Sequence, residues 1–238
     1  AGKMTTPPAD MVCTDLMDSI NRSNLRTSLR VIFSDVKRTA RILAARPSLI
    51  VAGTGIHLHQ KNAAKLRQMA KEGGHDIPVM MLISITSRCN LSCTGCYMRQ
   101  RKFGPEPEMN YEELKSIISQ AEELGVSVIS FIGGEPLLRK DDAVNLAHAF
   151  PGLLFTLSTN GLLIDEKVAD ELAGCPNLVP FVSLEGHRAT TDNRRGCGTY
   201  NRLITVLSQL NNQVLFFGCA VTVSRENISE VLDESFIR

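Results

Sequence analysis

The chain has 238 residues, of which 43% are apolar and 21% charged, and its formal net charge is +1. That length suffices for one large domain with a small extension, and the apolar share for a sizeable core, so gross disorder is excluded. Near-neutral charge argues against a dedicated nucleic-acid binder. The apolar runs are too short to span a membrane, and the opening AGKMTTPPAD lacks the charged-then-apolar order of a secretory signal. The expectation is a cytoplasmic protein with no nucleic-acid or integral membrane contact.

The chain begins at Ala1 rather than Met, and Arg238 falls inside a helical pattern, so the sequence reads as a piece of a longer product. Residues 11 to about 72 read as helical: Leu25, Leu29, Ile32 and Val36 recur at helical spacing. Arg22, Arg26, Arg30, Lys37, Arg38 and Arg41 cluster nearby. Such a basic helix suits a membrane surface or an acidic partner, or is a solvated face packed on the next domain. Gly73 and Gly74, followed by Pro78, stop the helix. The expected division is therefore a helical N-terminal extension over 1–78 and a core over 79–238.

From residue 79 the pattern alternates. Strands are expected over 79–86, 126–131, 153–158, 178–184 and 214–223. Helices are expected over 111–124, 141–150, 165–173 and 200–211, with a fifth beginning near Asn227. Repeated βα units imply a parallel sheet with right-handed crossovers. Each strand runs into a polar cluster: Thr86-Ser87-Arg88-Cys89, Gly133-Gly134-Glu135-Pro136, Thr159-Asn160-Gly161, Ser183-Leu184-Glu185-Gly186 and Thr222-Val223-Ser224. Gly, Pro, Asn and Ser are also ordinary turn residues. Five such clusters at the carboxyl ends of parallel strands, one of them holding cysteines, point instead to an active site.

The seven cysteines are Cys13, Cys89, Cys93, Cys96, Cys175, Cys197 and Cys219. Their odd number and uneven spread do not fit a secreted disulfide framework. Cys89, Cys93 and Cys96 form a C-x3-C-x2-C triple that would arise by chance in roughly one such sequence in a hundred or fewer. Thiolates are soft ligands that select iron–sulfur clusters, zinc or copper(I). Structural zinc and electron-transfer clusters normally take four protein ligands, so three leave a metal position open. His75 and Cys197 are too remote in sequence to count as the fourth.

This loop, followed one strand later by GGEP, resembles the radical S-adenosylmethionine (SAM) superfamily. The stretches SITSRCNLSCTGCY, FIGGEPLL, STNGLL, VSLEGHRATTDNRRGCGTY and VTVSREN are similar to the branch that includes peptide-modifying and cofactor-maturing members and proteins of anaerobic bacteria. The resemblance implies a partial parallel (β/α) barrel, α/β in class, with five strands visible here and truncation before the usual sixth. It implies a [4Fe–4S] cluster on Cys89, Cys93 and Cys96, with SAM chelated at the open iron. Gly133 and Gly134 would let the backbone approach the methionine part, Glu135 would accept from its ammonium group, and Pro136 would stiffen the turn. Ser183 and Arg195 would contact ribose and carboxylate. Asn160 would line the ribose side, and residues 221–223, Thr222 among them, would bring backbone groups to adenine.

The implied reaction is reductive cleavage of SAM to methionine and a 5′-deoxyadenosyl radical that abstracts hydrogen from a peptide or small molecule. The implied electron donor is a flavodoxin or ferredoxin. Two departures stand out: Gly95 precedes the third cysteine where many members carry an aromatic residue, and Glu185 replaces the Asp of the related SLDG pattern. No residue reads as a substrate acid or base, so catalytic residues stay unassigned. A non-catalytic iron–sulfur electron-transfer or sensor protein on the same fold is the alternative, and a zinc-stabilised interaction module a third. Cys219 reads as core, and Cys13 and Cys175 as structural. Cys197 reads as a small residue in a glycine-rich turn or a substrate-facing thiol, and His187 as a surface loop residue.

Overall fold

Alternating β-rich runs and amphipathic stretches fold into a parallel sheet backed by helices. The computed structural model describes residues 39–40, 42–100, 107–213 and 215–237. The chain divides into two units, Ala1–Ala45 and Arg46–Arg238. In the first, residues 39–40 and 42–45 are helical. The expected basic stretch from Arg22 to Arg41, its apolar stripe and Cys13 lie outside the described residues.

The second unit opens with α1 (Ser48–Glu72), started after Pro47 and ended at Gly73. Next come β1 (Met80–Thr86), the short α2 (Tyr97–Gln100), α3 (Tyr111–Glu123) and β2 (Val128–Gly133). A 3₁₀ turn (Pro136–Arg139) leads into α4 (Lys140–Ala149), β3 (Leu154–Thr159), α5 (Glu166–Ala173) and β4 (Leu178–Ser183). The chain continues through α6 (Arg188–Arg195), α7 (Thr199–Asn212), β5 (Gly218–Ala220), α8 (Ile228–Val231) and α9 (Glu234–Ile237). Local chemistry fixes several boundaries. Asn110 and Glu113 close a reciprocal capping box at the start of α3, and Asp165 caps α5 by accepting from Val168 N–H.

The strands pair in the order β1-β2-β3-β4-β5, all parallel. Sequential order with one hand of crossover puts the connecting helices on one face, the winding of a partial (β/α) barrel rather than of a doubly wound sheet. The register aligns Ile83, Phe131 and Leu157 on that face. There they are buried with Leu114, Ile118, Leu146, Leu172 and Leu203 from the helices. Phe131 and Phe155 stack with centroids 5.4 Å apart. The opposite face is more polar and more open: Thr156 donates its hydroxyl to Ser130 at 2.9 Å, and Leu82 is exposed.

Helix α1 lies across the N-terminal end of the sheet. Gln60 exchanges hydrogen bonds with Ser127 through its amide, Arg67 donates to the Gly125 carbonyl, and Arg46 donates to the Ala173 carbonyl at 2.6 Å. With that end covered, the C-terminal ends of the strands are left for a site. Among the described residues no helix is long and apolar enough to cross a membrane.

Three details differ from the sequence pattern. Strand β5 covers only Gly218–Ala220, not 214–223. Among the described residues it pairs with β4 alone, and only glycine fits at 218 beneath the Phe181 ring, where a Cβ would lie 2.5 Å from a ring carbon. Cys219, expected in the core, is exposed on this strand, whereas Cys175 is buried and its thiol is pushed up to about 11 by burial. Helix α6 was unexpected because Arg188–Arg195 carries no apolar period; its one buried residue is Thr191.

Candidate active site

The cysteine loop leaves β1 and is pinned on three sides. Gly134 N–H donates to the Thr86 carbonyl at 2.8 Å, and Glu135 N–H donates to the Arg88 carbonyl at 2.7 Å, tying the GGEP turn to the loop entrance. Thr94 N–H donates to the Arg194 carbonyl at 2.8 Å, fastening the loop to α6. Arg99 donates to the Ser92 carbonyl at 2.9 Å and closes the loop on α2. Beside the entrance, Glu108 accepts from the Thr86 hydroxyl, the Ser87 N–H and Arg88. Partial burial would raise its carboxyl, but these donors hold it below the ordinary range.

A cavity of about 320 Å³ opens over the C-terminal ends of β2 to β5. Cys89, Cys93 and Cys96 line it together with Gly133, Gly134, Asn160, Ser183, Arg195 and Thr222. Of the site residues expected from sequence, Glu135, Pro136, Val221 and Val223 do not border this cavity. Burial pushes the Cys93 thiol up, Arg195 pulls it back, and the neighbouring Cys89 and Cys96 push it further. Cys197, exposed in the turn between Gly196 and Gly198, does not border the cavity. His187 sits on the surface, edge-on to Phe236 with centroids 5.6 Å apart.

Glu135 lies behind the cavity, 1% exposed. Its Oε1 accepts from Leu137 N–H at 3.0 Å and the Thr159 hydroxyl at 2.7 Å, and its Oε2 accepts from Asn160 N–H at 2.7 Å. Burial pushes this carboxyl above the usual range, while these donors and Arg195 hold it back. The carboxylate thus fastens the end of β3 to the GGEP turn. Glu135→Gln keeps one oxygen for three donors and turns an amide N–H₂ toward one of them. A buried donor left unpaired costs about 1–3 kcal/mol. The urea midpoint of Glu135→Gln should fall by that equivalent; a midpoint at or above the parent would contradict this role.

The glycines answer a demand of the chain's own backbone. A Cβ on Gly133 would stand 2.2 Å from the Thr86 carbonyl oxygen, and one on Gly134 would stand 2.0 Å from that of Arg88. Gly133 also sits at φ +136, a conformation that favours glycine.

The far wall contains residues that sequence reasoning did not connect. Glu185 is fully buried. Its Oε1 accepts from Arg195 Nη2 and from Nε at 3.0 Å, Arg194 Nε lies 3.4 Å from the same oxygen, and Oε2 accepts from Thr222 N–H at 3.2 Å. Asn227, also buried, donates to the carbonyls of Glu185 at 2.9 Å and Thr222 at 3.0 Å. Two arginines against one carboxylate leave a net positive wall beside the cysteines. The only sequence signal was the Glu in place of the pattern's Asp. Its extra methylene extends the carboxylate toward the arginines on α6.

These residues fit a [4Fe–4S] cluster. Three thiols on one cavity, with an arginine beside them, suit a cube with an open iron next to an anionic ligand.

Comparison with known proteins agrees. A family model described as the radical SAM superfamily matches residues 83–233. Fe-coproporphyrin III synthase of Methanosarcina barkeri is 31% identical over 173 residues, covering 72% of this chain and 43% of that protein. Mycofactocin maturase MftC of Mycolicibacterium smegmatis is 33% identical over 168 residues, covering 68% of this chain and 42% of that protein. The structure of Streptococcus suis SuiB bound to S-adenosylmethionine superposes with a TM-score of 0.56 at 25% identity, covering 73% of this chain and 41% of SuiB. SuiB has also been solved with its precursor peptide SuiA. The chain spans about two fifths of the length of these relatives. The family match covers well over half of the chain and runs from β1 past β5, enclosing the cysteine cavity, so the chain belongs to the radical SAM superfamily.

Proposed function

We propose that this chain is the core of an enzyme that binds a [4Fe–4S] cluster through Cys89, Cys93 and Cys96, and S-adenosylmethionine beside it, to begin a radical reaction on a peptide or small molecule. Residues 79–238 carry this chemistry, and helix α1 (Ser48–Glu72) precedes them. The observation that supports the reading best is the meeting of the three thiols with Arg195 on one cavity, which among the described residues no fourth thiol lines. When bound and reduced, the cluster supplies the electron that splits SAM into methionine and a 5′-deoxyadenosyl radical.

The chain's own residues bind and orient. Arg195, steadied by Glu185, presents a cation to the SAM carboxylate. Gly133 and Gly134 offer backbone at the cavity wall without side chains in the way. Ser183 and Thr222 supply polar groups on the ribose and adenine side. Glu135 acts from behind, holding Asn160 and the GGEP turn in register. A flavodoxin or ferredoxin is the electron donor, and a reducing cytoplasm suits an oxygen-sensitive open iron. The peptide seen on SuiB and the porphyrin named in the Methanosarcina relative support both substrate classes.

The test is anaerobic reconstitution, reduction and incubation with SAM. Release of 5′-deoxyadenosine and methionine is the expected result. An intact cluster whose EPR signal ignores SAM, with no nucleoside released, would instead identify an electron carrier. One zinc per chain and no sulfide would overturn both.

A further inference from the structure

We infer that Asn160 is a positioning residue for the iron–sulfur cluster: its side-chain amide donates a hydrogen bond to the Cys89 sulfur and raises the reduction potential of the bound cluster. The inference rests on the cluster reading above. The orientation of the amide is decided by its surroundings. Asn160 Oδ1 accepts from Leu162 N–H at 3.0 Å, and a backbone N–H cannot reverse its role. Nδ2 must therefore face the other way, where Asn90 Oδ1 lies at 2.7 Å and Cys89 Sγ at 3.8 Å. The amide has two hydrogens, one for each partner. A flipped amide would set N–H₂ against the Leu162 N–H.

The residue is held as well as aimed. Asn160 is 6% exposed, and its own N–H is fixed on Glu135 Oε2 at 2.7 Å. The neighbouring Thr159 hydroxyl donates to Glu135 Oε1 at 2.7 Å and accepts from Gly161 N–H at 2.9 Å. Cys89 Sγ also accepts from Leu91 N–H at 3.4 Å, so two N–H groups converge on one ligand sulfur. Reduction adds negative charge that spreads onto the cysteine sulfurs. Donors aimed at those sulfurs stabilise the reduced state and raise the potential. The buried Glu135 thus acts on the cluster through Asn160, not through a contact of its own.

The experiment is an EPR-monitored redox titration of the anaerobically reconstituted chain. Asn160→Asp keeps the shape and the acceptor for Leu162 N–H but removes the donor, and Asn160→Leu removes both. In each, the ratio of reduced to oxidised cluster at a fixed ambient potential should fall about three- to tenfold, roughly 30–60 mV for a one-electron couple. Asn90→Ala removes the competing acceptor from an exposed loop position and leaves the contact with Cys89, so its midpoint should stay at or above the parent's. Parent-like midpoints in Asn160→Asp at full iron and sulfide loading would overturn the inference, and so would a fall in Asn90→Ala. A parent chain that takes up no iron and sulfide would overturn the cluster reading itself, an outcome told apart because no potential would be measurable.

Discussion

Replacing Cys93 with alanine should abolish cluster assembly while leaving the fold in place. Cys93 is the middle thiol of the triple, half-buried at the cavity wall, and close enough to Cys89 and Cys96 for each to act on its ionisation. A cube anchored at three of its irons tolerates one open position, which the proposed SAM site uses. A second open iron, facing a cavity accessible to solvent, exposes the cube to loss of iron and to oxidation. The Cys93 side chain contributes little to the core, which is built from β-strand and helix residues such as Phe131, Leu146 and Leu172 on the other face of the sheet. Far-UV circular dichroism and the urea midpoint should therefore stay near those of the metal-free parent. Iron and sulfide analysis after reconstitution should fall from about four of each per chain to near zero. Full loading in Cys93→Ala would show that the triple is not the anchor.

The parts of the molecule that were legible in the sequence are those whose cause is local. Five runs of strand-forming residues separated by amphipathic stretches announced the parallel sheet, because side-chain periodicity is written residue by residue. The C-x3-C-x2-C spacing announced a metal loop, since three thiols within eight residues have few other uses. The carboxyl-end rule for parallel strands then gathered residues as distant as Cys89 and Thr222 onto one cavity.

What was not legible depends on polar contacts outside the element itself, some a few residues away and some across the sheet. Arg188–Arg195 forms a helix because Thr191, Asp192 and Arg195 find partners elsewhere. The Thr191 hydroxyl donates to the Gly186 carbonyl at 2.8 Å, Asp192 accepts from Tyr200 N–H at 2.8 Å, and Arg195 pairs with Glu185. No apolar stripe reveals such a helix in advance. The Glu135 side chain gave the same difficulty. An acidic residue beside a glycine pair suggests a ligand contact, and only the tertiary structure places three of the chain's own donors on its two oxygens. The extent of β5 also depended on its neighbour, since its pairing with β4 ends at Ala220.

Gly134→Ala should be among the most damaging single-methyl additions in the chain, and its effect should reach the cysteines. The added Cβ would lie 2.0 Å from the Arg88 carbonyl oxygen, 2.5 Å from its carbon and 2.8 Å from the Ser87 carbonyl oxygen. All three are backbone atoms, which cannot swing aside as a side-chain tip can. The turn must therefore move away from the cysteine loop. That motion stretches the bonds from Gly134 N–H to Thr86 and from Glu135 N–H to Arg88, 2.8 and 2.7 Å in the native chain. Two weakened hydrogen bonds at about 1 kcal/mol each, with overpacking strain of about 1–3 kcal/mol, give a loss of roughly 3–5 kcal/mol. Because the displaced partner is the residue before Cys89, iron and sulfide uptake should fall together with the urea midpoint. Gly53 supplies the contrast: it is exposed within α1, nothing lies within 4 Å of its added Cβ, and helix propensity favours alanine there by up to about 1 kcal/mol. Gly53→Ala should hold or raise the midpoint at unchanged cluster content. Native-like stability and loading in Gly134→Ala would mean that the close approach of the two loops is not what requires glycine at this position.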